Sequence, residues 1–162
     1  MVKDTILIGN DHGGYEFKKE FLKYFKEKGT VFKNIGSNSL DIVRYPYYAA
    51  RVAGDVSEGR ARRGILICST GIGMSIFANR FKGVRAALCT STFMAKMTRK
   101  HNDSNILCLG GKITGVAEAL DILETWLNTG FEGGRHSISL DLIRSSDDCG
   151  CKLKFPVRQR KK

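Results

Sequence analysis

The sequence predicts an α/β protein: a Rossmann-like, doubly wound parallel sheet of about five strands in a three-layer αβα arrangement. Three observations carry that prediction. Short apolar, β-branched runs recur at residues 5–9, 31–36, 64–68, 84–89 and 105–110. Segments with helically spaced apolar residues separate them, and such alternation builds a parallel sheet with helices on both sides. Within residues 64–68, Gly-Ile-Leu-Ile-Cys is apolar throughout rather than alternating, as in a strand covered on both faces.

In order, the first strand runs into Asn10-Asp11-His12-Gly13-Gly14. Phe17, Phe21, Leu22 and Phe25 then mark a helix that stops at Lys28-Gly29. After the second strand, residues 37–45 form a loop, and Pro46 can open a helix carrying Ala49, Ala50, Val52, Ala53 and Val56. The third strand passes through Ser69-Thr70-Gly71-Ile72-Gly73 into a helix starting at Met74. The fourth strand is followed by a helix over residues 92–100, broken at His101-Asn102-Asp103. The fifth strand leads to a long helix over residues 115–127, with Val116, Leu120, Leu123 and Leu127 on one face. Gly133-Gly134-Arg135-His136 follows as a loop cluster.

The chain has 162 residues, 42% hydrophobic and 27% charged, which suits one folded domain with a real core. No apolar run approaches membrane-spanning length and no signal pattern opens the sequence, so a cytoplasmic protein is expected. Five cysteines, with Cys68, Cys89 and Cys108 inside apolar strands, suit reduced thiols better than a disulfide framework. Cys149 and Cys151 form a C-x-C pair with no matching His or Cys cluster. The net charge of +11 raises the question of nucleic acid. Lys152, Lys154, Arg158, Arg160, Lys161 and Lys162 supply six of those charges with no acid among them, leaving +5 for the rest. A basic terminal extension explains the excess.

The chemistry centres on residues 64–75. In a βα unit Cys68 stands at the carboxyl end of its strand, the edge where open α/β sheets bind ligands. The glycines that follow leave backbone N–H groups available as an anion cradle. A thiol in such a field is expected to have a lowered pKa, and a base beside an oxyanion cradle suits proton abstraction next to a carbonyl. The bland alternative is a buried packing cysteine. A dinucleotide fingerprint fails, because Ile76 occupies the third glycine position and no acidic residue lies near 20 positions on. A P-loop fails too, since no Gly-Lys-Ser/Thr follows. All three histidines, His12, His101 and His136, fall in loop clusters.

Asp11-His12-Gly13-Gly14, Tyr45-Pro46, residues 68–76, Ala78-Asn79, Val84-Arg85-Ala86-Ala87, His101-Asn102-Asp103, Asn105-Ile106 and Gly133-Gly134-Arg135-His136 together resemble the type B ribose-5-phosphate isomerase family. That family also contains galactose-6-phosphate isomerase subunits. The match is co-linear over about residues 3–145. It implies a sugar-phosphate isomerase domain at 1–145, followed by a basic C-terminal extension at 146–162. The implied chemistry is an aldose–ketose isomerisation through a cis-enediolate, without metal or cofactor. Cys68 would be the base, since Met74 stands where some members carry a glutamate. Thr70 would shuttle the hydroxyl proton, and the amides of Ser69, Gly71, Ile72, Gly73 and Met74 would hold the enediolate. His101 would open the furanose ring. Asp11 and Asn102 would bind hydroxyls, with Tyr45 also at the substrate. His12 and Arg135 would contact phosphate, with Lys112 where some members have arginine.

The resemblance further implies a homodimer, or a tetramer, in which a partner subunit donates His101, Asn102 and residue 112. No nucleic acid or membrane partner is implied. Two positions depart from the family: Ser139 replaces a second arginine, and Arg44 replaces an aspartate before Tyr-Pro. Arg44 and Arg144 are candidates to compensate. The alternatives are an isomerase of a four- or six-carbon sugar phosphate, or a catalytically inactive sugar-phosphate binder. The intact Cys68, Thr70 and His101 set speaks against the latter. The lack of an aromatic-interleaved basic face speaks against a nucleic-acid binder.

Overall fold

The computed structural model describes residues 5–149. The chain runs β1 (Ile6–Asn10), α1 (Tyr15–Glu27), β2 (Phe32–Asn34), α2 (Tyr45–Ser57), β3 (Arg63–Cys68), α3 (Ile72–Ala78), β4 (Ala86–Leu88), α4 (Thr92–Asn102), β5 (Ile106–Gly110), α5 (Val116–Asn128) and α6 (Arg135–Cys149). A single 3-10 turn, His12–Gly14, joins β1 to α1. All strand pairs are parallel, in the order β2-β1-β3-β5-β4.

Successive strand residues point to opposite faces, and both faces are covered. Ile6, Ile8, Ile65, Ile67, Leu107 and Leu109 pack against Phe17, Phe21 and Phe25 of α1 and Ile122, Leu123 and Trp126 of α5. Leu7, Leu66, Cys68, Ile106 and Cys108 pack against Ala49, Val52, Ala53 and Val56 of α2 and Met74 and Ala78 of α3. The three-layer αβα arrangement follows directly from this two-sided burial. Truncating one of the fully buried aromatics, such as Phe21 or Trp126, would cost about 3–5 kcal/mol.

The structure corrects several expected boundaries. α3 begins at Ile72, not Met74, because Gly71 takes a left-handed conformation with φ of 77° and caps it. α4 continues through His101 to Asn102 and ends where Asp103 turns left-handed, φ 44°. The larger difference is α6, where only a loop cluster was expected. It packs against α4, but Ile138, Leu142 and Ile143 remain exposed and only Leu140 is buried. Without a core-facing stripe its period leaves little trace in the sequence. The helix runs across the boundary expected at residue 145. Cys149 ends α6, while Cys151 and the basic residues from Lys152 onward lie outside the described residues. Among the described residues no helix is long and apolar enough to cross a membrane.

Candidate active site

β3 ends at Cys68, which pairs with Gly110 of β5. The turn that follows requires glycine at residue 71. Its φ is positive, and a Cβ there would fall 2.6 Å from Leu88 Cδ1 and 2.9 Å from the Leu109 carbonyl carbon. That conformation sends the Gly71 amide back to Cys68, where it donates to Sγ at 3.0 Å. Thr70 Oγ1 accepts from the Ile72 amide at 3.3 Å. Cys68 is only 6% exposed, so the sulfur sits at the rim of the core with a donor already aimed at it. Met74 is fully buried; it can offer this region its backbone but not its side chain. The two other described cysteines differ in kind. Burial pushes the Cys89 thiol up to about 12 and holds Cys108 well above the ordinary range.

Loops after the neighbouring strands close around this turn. A Cβ on Gly13 would meet Ser69 Oγ at 2.2 Å, so only glycine lets the 3-10 turn approach. Gly111 donates to the Cys68 carbonyl at 2.8 Å and the Lys112 amide to the Ser69 carbonyl at 3.0 Å. Asp11 is buried and its Oδ1 accepts from the Gly13 amide at 2.8 Å. Desolvation raises its pKa, against the opposing pull of the Gly13 amide and His12. His12 Nδ1 accepts from the Val43 amide at 3.3 Å, which leaves its Nε2 as the N–H of the neutral ring. The Tyr45 ring lies against Gly73, 2.7 Å from where a Cβ would stand. A pocket of about 260 Å³ opens between His12, Glu16, Leu40 and Lys112.

The loop that carries Val43 is itself anchored. Buried Lys18 donates to the Ser37 carbonyl and, at 2.8 Å, to Asn38 Oδ1. Asn10 Nδ2 donates to the Ser37 carbonyl at 3.2 Å and the Asp11 carbonyl at 2.7 Å. Desolvation lowers the Lys18 pKa. Neither Lys18 nor Asn10 was expected at the site; a lysine on a helix ordinarily reads as surface, and nothing local marks this one.

His101, Asn102 and Arg135 occupy the other end of the sheet. Arg85, just before β4, donates to the Asn102 carbonyl at 3.0 Å, and Gly64 near the start of β3 donates to the Asn105 carbonyl at 2.9 Å. Cys68 closes the same six-residue strand, about 17 Å from its start at 3.3–3.4 Å per residue. Here the His101 and His136 rings stack with centroids 4.1 Å apart and 13° between planes. Each Nε2 lies 3.7 Å from Glu132 Oε2, while Lys100 Nζ is 3.4 Å from Oε1. Desolvation, then the charges of His101 and Arg135, lowers the His136 pKa against the pull of Glu132.

The expected site residues thus divide into two groups. Asp11, His12, Tyr45, Cys68, Ser69, Thr70, Gly71, Ile72, Gly73, Met74 and Lys112 gather at the carboxyl edge of the strands. His101, Asn102 and Arg135 gather at the amino edge. Lys112, expected alongside His101 as a partner's contribution, instead stands with His12 of its own chain. Arg135, expected beside His12, stands in the first turn of α6 near His101. Ser139 is exposed one turn further along α6, and Arg144 pairs with Asp141 at 2.8 Å. Arg44 is exposed at the start of α2, next to Val43. Glu132 was not singled out from the sequence; its proximity to His101 is a product of tertiary closure.

A family model described as Ribose/Galactose Isomerase matches residues 6–143. Ribose-5-phosphate isomerase B of Escherichia coli K12 is 40% identical over 138 residues, covering 85% of this chain and 93% of that protein. D-erythrulose-4-phosphate isomerase of Pectobacterium atrosepticum is 36% identical over 144 residues, covering 86% and 92%. The structure of Clostridium thermocellum ribose-5-phosphate isomerase B is similar with a TM-score of 0.85 at 45% identity, covering 87% of this chain and 95% of that one.

Proposed function

The chain belongs to the ribose/galactose isomerase family and is a sugar-phosphate isomerase, and from that premise we propose that it interconverts ribose 5-phosphate and ribulose 5-phosphate through a cis-enediolate, with Cys68 as the base. The observation that carries the assignment of the base is the Gly71 amide on Cys68 Sγ at the ligand-binding edge of the sheet. A hydrogen bond to sulfur gains strength as the sulfur takes negative charge.

In the proposed reaction the Cys68 thiolate removes the proton from C2 of the open-chain aldose. The C2–H electron pair becomes the C1=C2 bond, and the C1 carbonyl π pair moves to O1. Thr70 carries a proton from O2 to O1. The Cys68 thiol then returns its proton to C1, leaving the carbonyl at C2. Amides of the 69–74 turn stabilise the charge on oxygen as it develops. His12 and Lys112 serve the phosphate, and Asp11 a sugar hydroxyl.

His101, Asn102 and Arg135 stand at the far end of the sheet from Cys68. That separation supports a site completed by a second copy, in a homodimer or tetramer whose amino edge enters the partner's cleft. Three free, buried thiols, Cys68, Cys89 and Cys108, suit a reducing compartment, and we place the enzyme in cytoplasmic pentose phosphate metabolism.

A coupled assay over four- to six-carbon aldose phosphates tests the substrate. The expected result is the highest kcat/KM with ribose 5-phosphate. Ser139 and Arg44 favour one second reading, an altered fit at the substrate's far end; higher kcat/KM with a four- or six-carbon phosphate would establish it.

A further inference from the structure

Three side chains from three separate elements converge at the amino edge of the sheet. His101 lies in the last turn of α4, Glu132 in the connection after α5, and His136 in the first turn of α6. We propose that His101, Glu132 and His136 form a binding site for a divalent transition-metal ion of the zinc type.

The donor set and spacing support this directly. The three candidate ligand atoms lie within 4.8 Å of one another, and both imidazole Nε2 atoms are 3.7 Å from the same carboxylate oxygen. A tetrahedral zinc site with bonds of about 2.0–2.1 Å has ligand–ligand edges of roughly 3.3 Å, so each imidazole–carboxylate edge need close by only a few tenths of an ångström, and the turn of one ring must bring the two nitrogens together. Two imidazoles and one carboxylate, with a fourth position open, are a zinc donor set. Lys100 approaches Oε1, leaving Oε2 to face the histidines. Metal binding needs neutral imidazoles. The rings are nearly parallel, so one must turn for the nitrogen lone pairs to converge. Side-chain exposures of 37% for His101 and 17% for His136 leave room for that rotation. Lys100 and Arg135 oppose any cation by charge, which selects for ions bound strongly by imidazole over magnesium or calcium.

The functional consequence rests on the proposed role of His101: an ion held there withdraws the ring-opening group and inhibits the isomerase. The test uses the full chain with cobalt(II) as a spectroscopic probe and zinc as competitor. The expected result is saturable cobalt binding with a nitrogen/oxygen ligand-field spectrum, displaced by zinc and not by magnesium. Affinity should fall by about tenfold or more in His136→Gln and in Glu132→Gln. Glu132 is exposed, so its variant keeps the test alive if His136→Gln folds poorly. Absence of saturable binding, unchanged affinity in both variants, or a spectrum dominated by sulfur-to-cobalt charge transfer would overturn the site. Zinc should also inhibit sugar-phosphate turnover in the wild type and less so in His136→Gln. Binding without inhibition would uphold the site and remove His101 from the reaction.

Discussion

The Gly71 amide donates to the Cys68 sulfur at 3.0 Å, so the proposed base and the turn beside it form one unit. The bond exists because Gly71 is left-handed and because Leu88 and Leu109 close off the space a side chain would need. It also sets Cys68 apart from Cys89 and Cys108, whose thiols burial holds protonated.

Cys68→Ala should lower kcat by about 10²-fold or more, the scale of a positioned base, while sugar-phosphate binding persists. Iodoacetamide should label Cys68 ahead of Cys89 and Cys108, and ribose 5-phosphate should slow the labelling. Peptide mapping by mass spectrometry reads both. More than about a tenth of wild-type kcat in Cys68→Ala would remove the thiol from its role as base.

Gly71→Ala should damage stability and chemistry together. The left-handed backbone alone costs an alanine about 1–2 kcal/mol, and the contacts with Leu88 and Leu109 add to that. A lower denaturant midpoint with an unchanged slope should accompany loss of turnover. Wild-type stability in this variant would show that the turn relaxes freely.

Much of this was legible in the sequence, for physical reasons. Strands buried on both faces carry continuous apolar runs, so β1, β3 and β5 stood out. The Cys68 turn did so because its glycines sit directly after such a run. α6 did not, since Ile138, Leu142 and Ile143 face outward and give the helix no apolar stripe. The division of the site follows from chain direction. Lys112 follows a strand and so lies at the carboxyl edge, whereas His101 ends a helix and lies at the amino edge. Family resemblance had grouped Lys112 with His101, and only the topology separates them. Contacts such as Lys18 to Ser37, or Glu132 to His101, join residues 19 and 31 positions apart and leave no local pattern.

Asp11 should trade stability for function. Burial raises its pKa above the ordinary 3.8. Between 3.8 and that raised value the native state binds more protons than the unfolded chain, so stability falls as pH rises through this window. At pH 7 the ionised carboxylate is therefore a net cost. Asp11→Asn keeps an oxygen for the Gly13 amide and removes the charge. Its Tm should equal or exceed that of wild type at pH 7, with the gain fading as pH falls towards 3.8, while KM rises. A Tm below wild type at pH 7 would show that the hydrogen bonds of the carboxylate outweigh its desolvation.

A shared site predicts complementation. Cys68→Ala and His101→Asn should each be inactive alone. Subunits mixed after reversible dissociation pair at random, half of the dimers are mixed, and each mixed dimer holds one intact site. Roughly a quarter of wild-type activity should then return. A monomer by light scattering, or no recovery in verified heterodimers, would refute the shared arrangement.

Arg44 is the remaining test of how phosphate is held. Ser139 cannot supply the cation that the family has one turn after Arg135. The His12 Nε2–H and the Lys112 ammonium are the donor candidates that line the pocket at the carboxyl edge, and a lysine offers a point charge where arginine offers a fork. Arg44 adjoins Val43, whose amide donates to His12, so its backbone stands beside the same region. In a shared site Arg44 of one copy and Ser139 of the other would approach a single phosphate from opposite sides. Arg44→Ala should therefore raise KM for ribose 5-phosphate with little change in kcat. Because Arg44 is exposed, the loss should sit at the low end for a charged hydrogen bond, about 1.5 kcal/mol or roughly tenfold in KM. Ser139→Arg should restore KM in that background, since it returns a forked donor from the opposite side. An unchanged KM in Arg44→Ala, or no rescue by Ser139→Arg, would assign phosphate binding to His12, Lys112 and Arg135 alone.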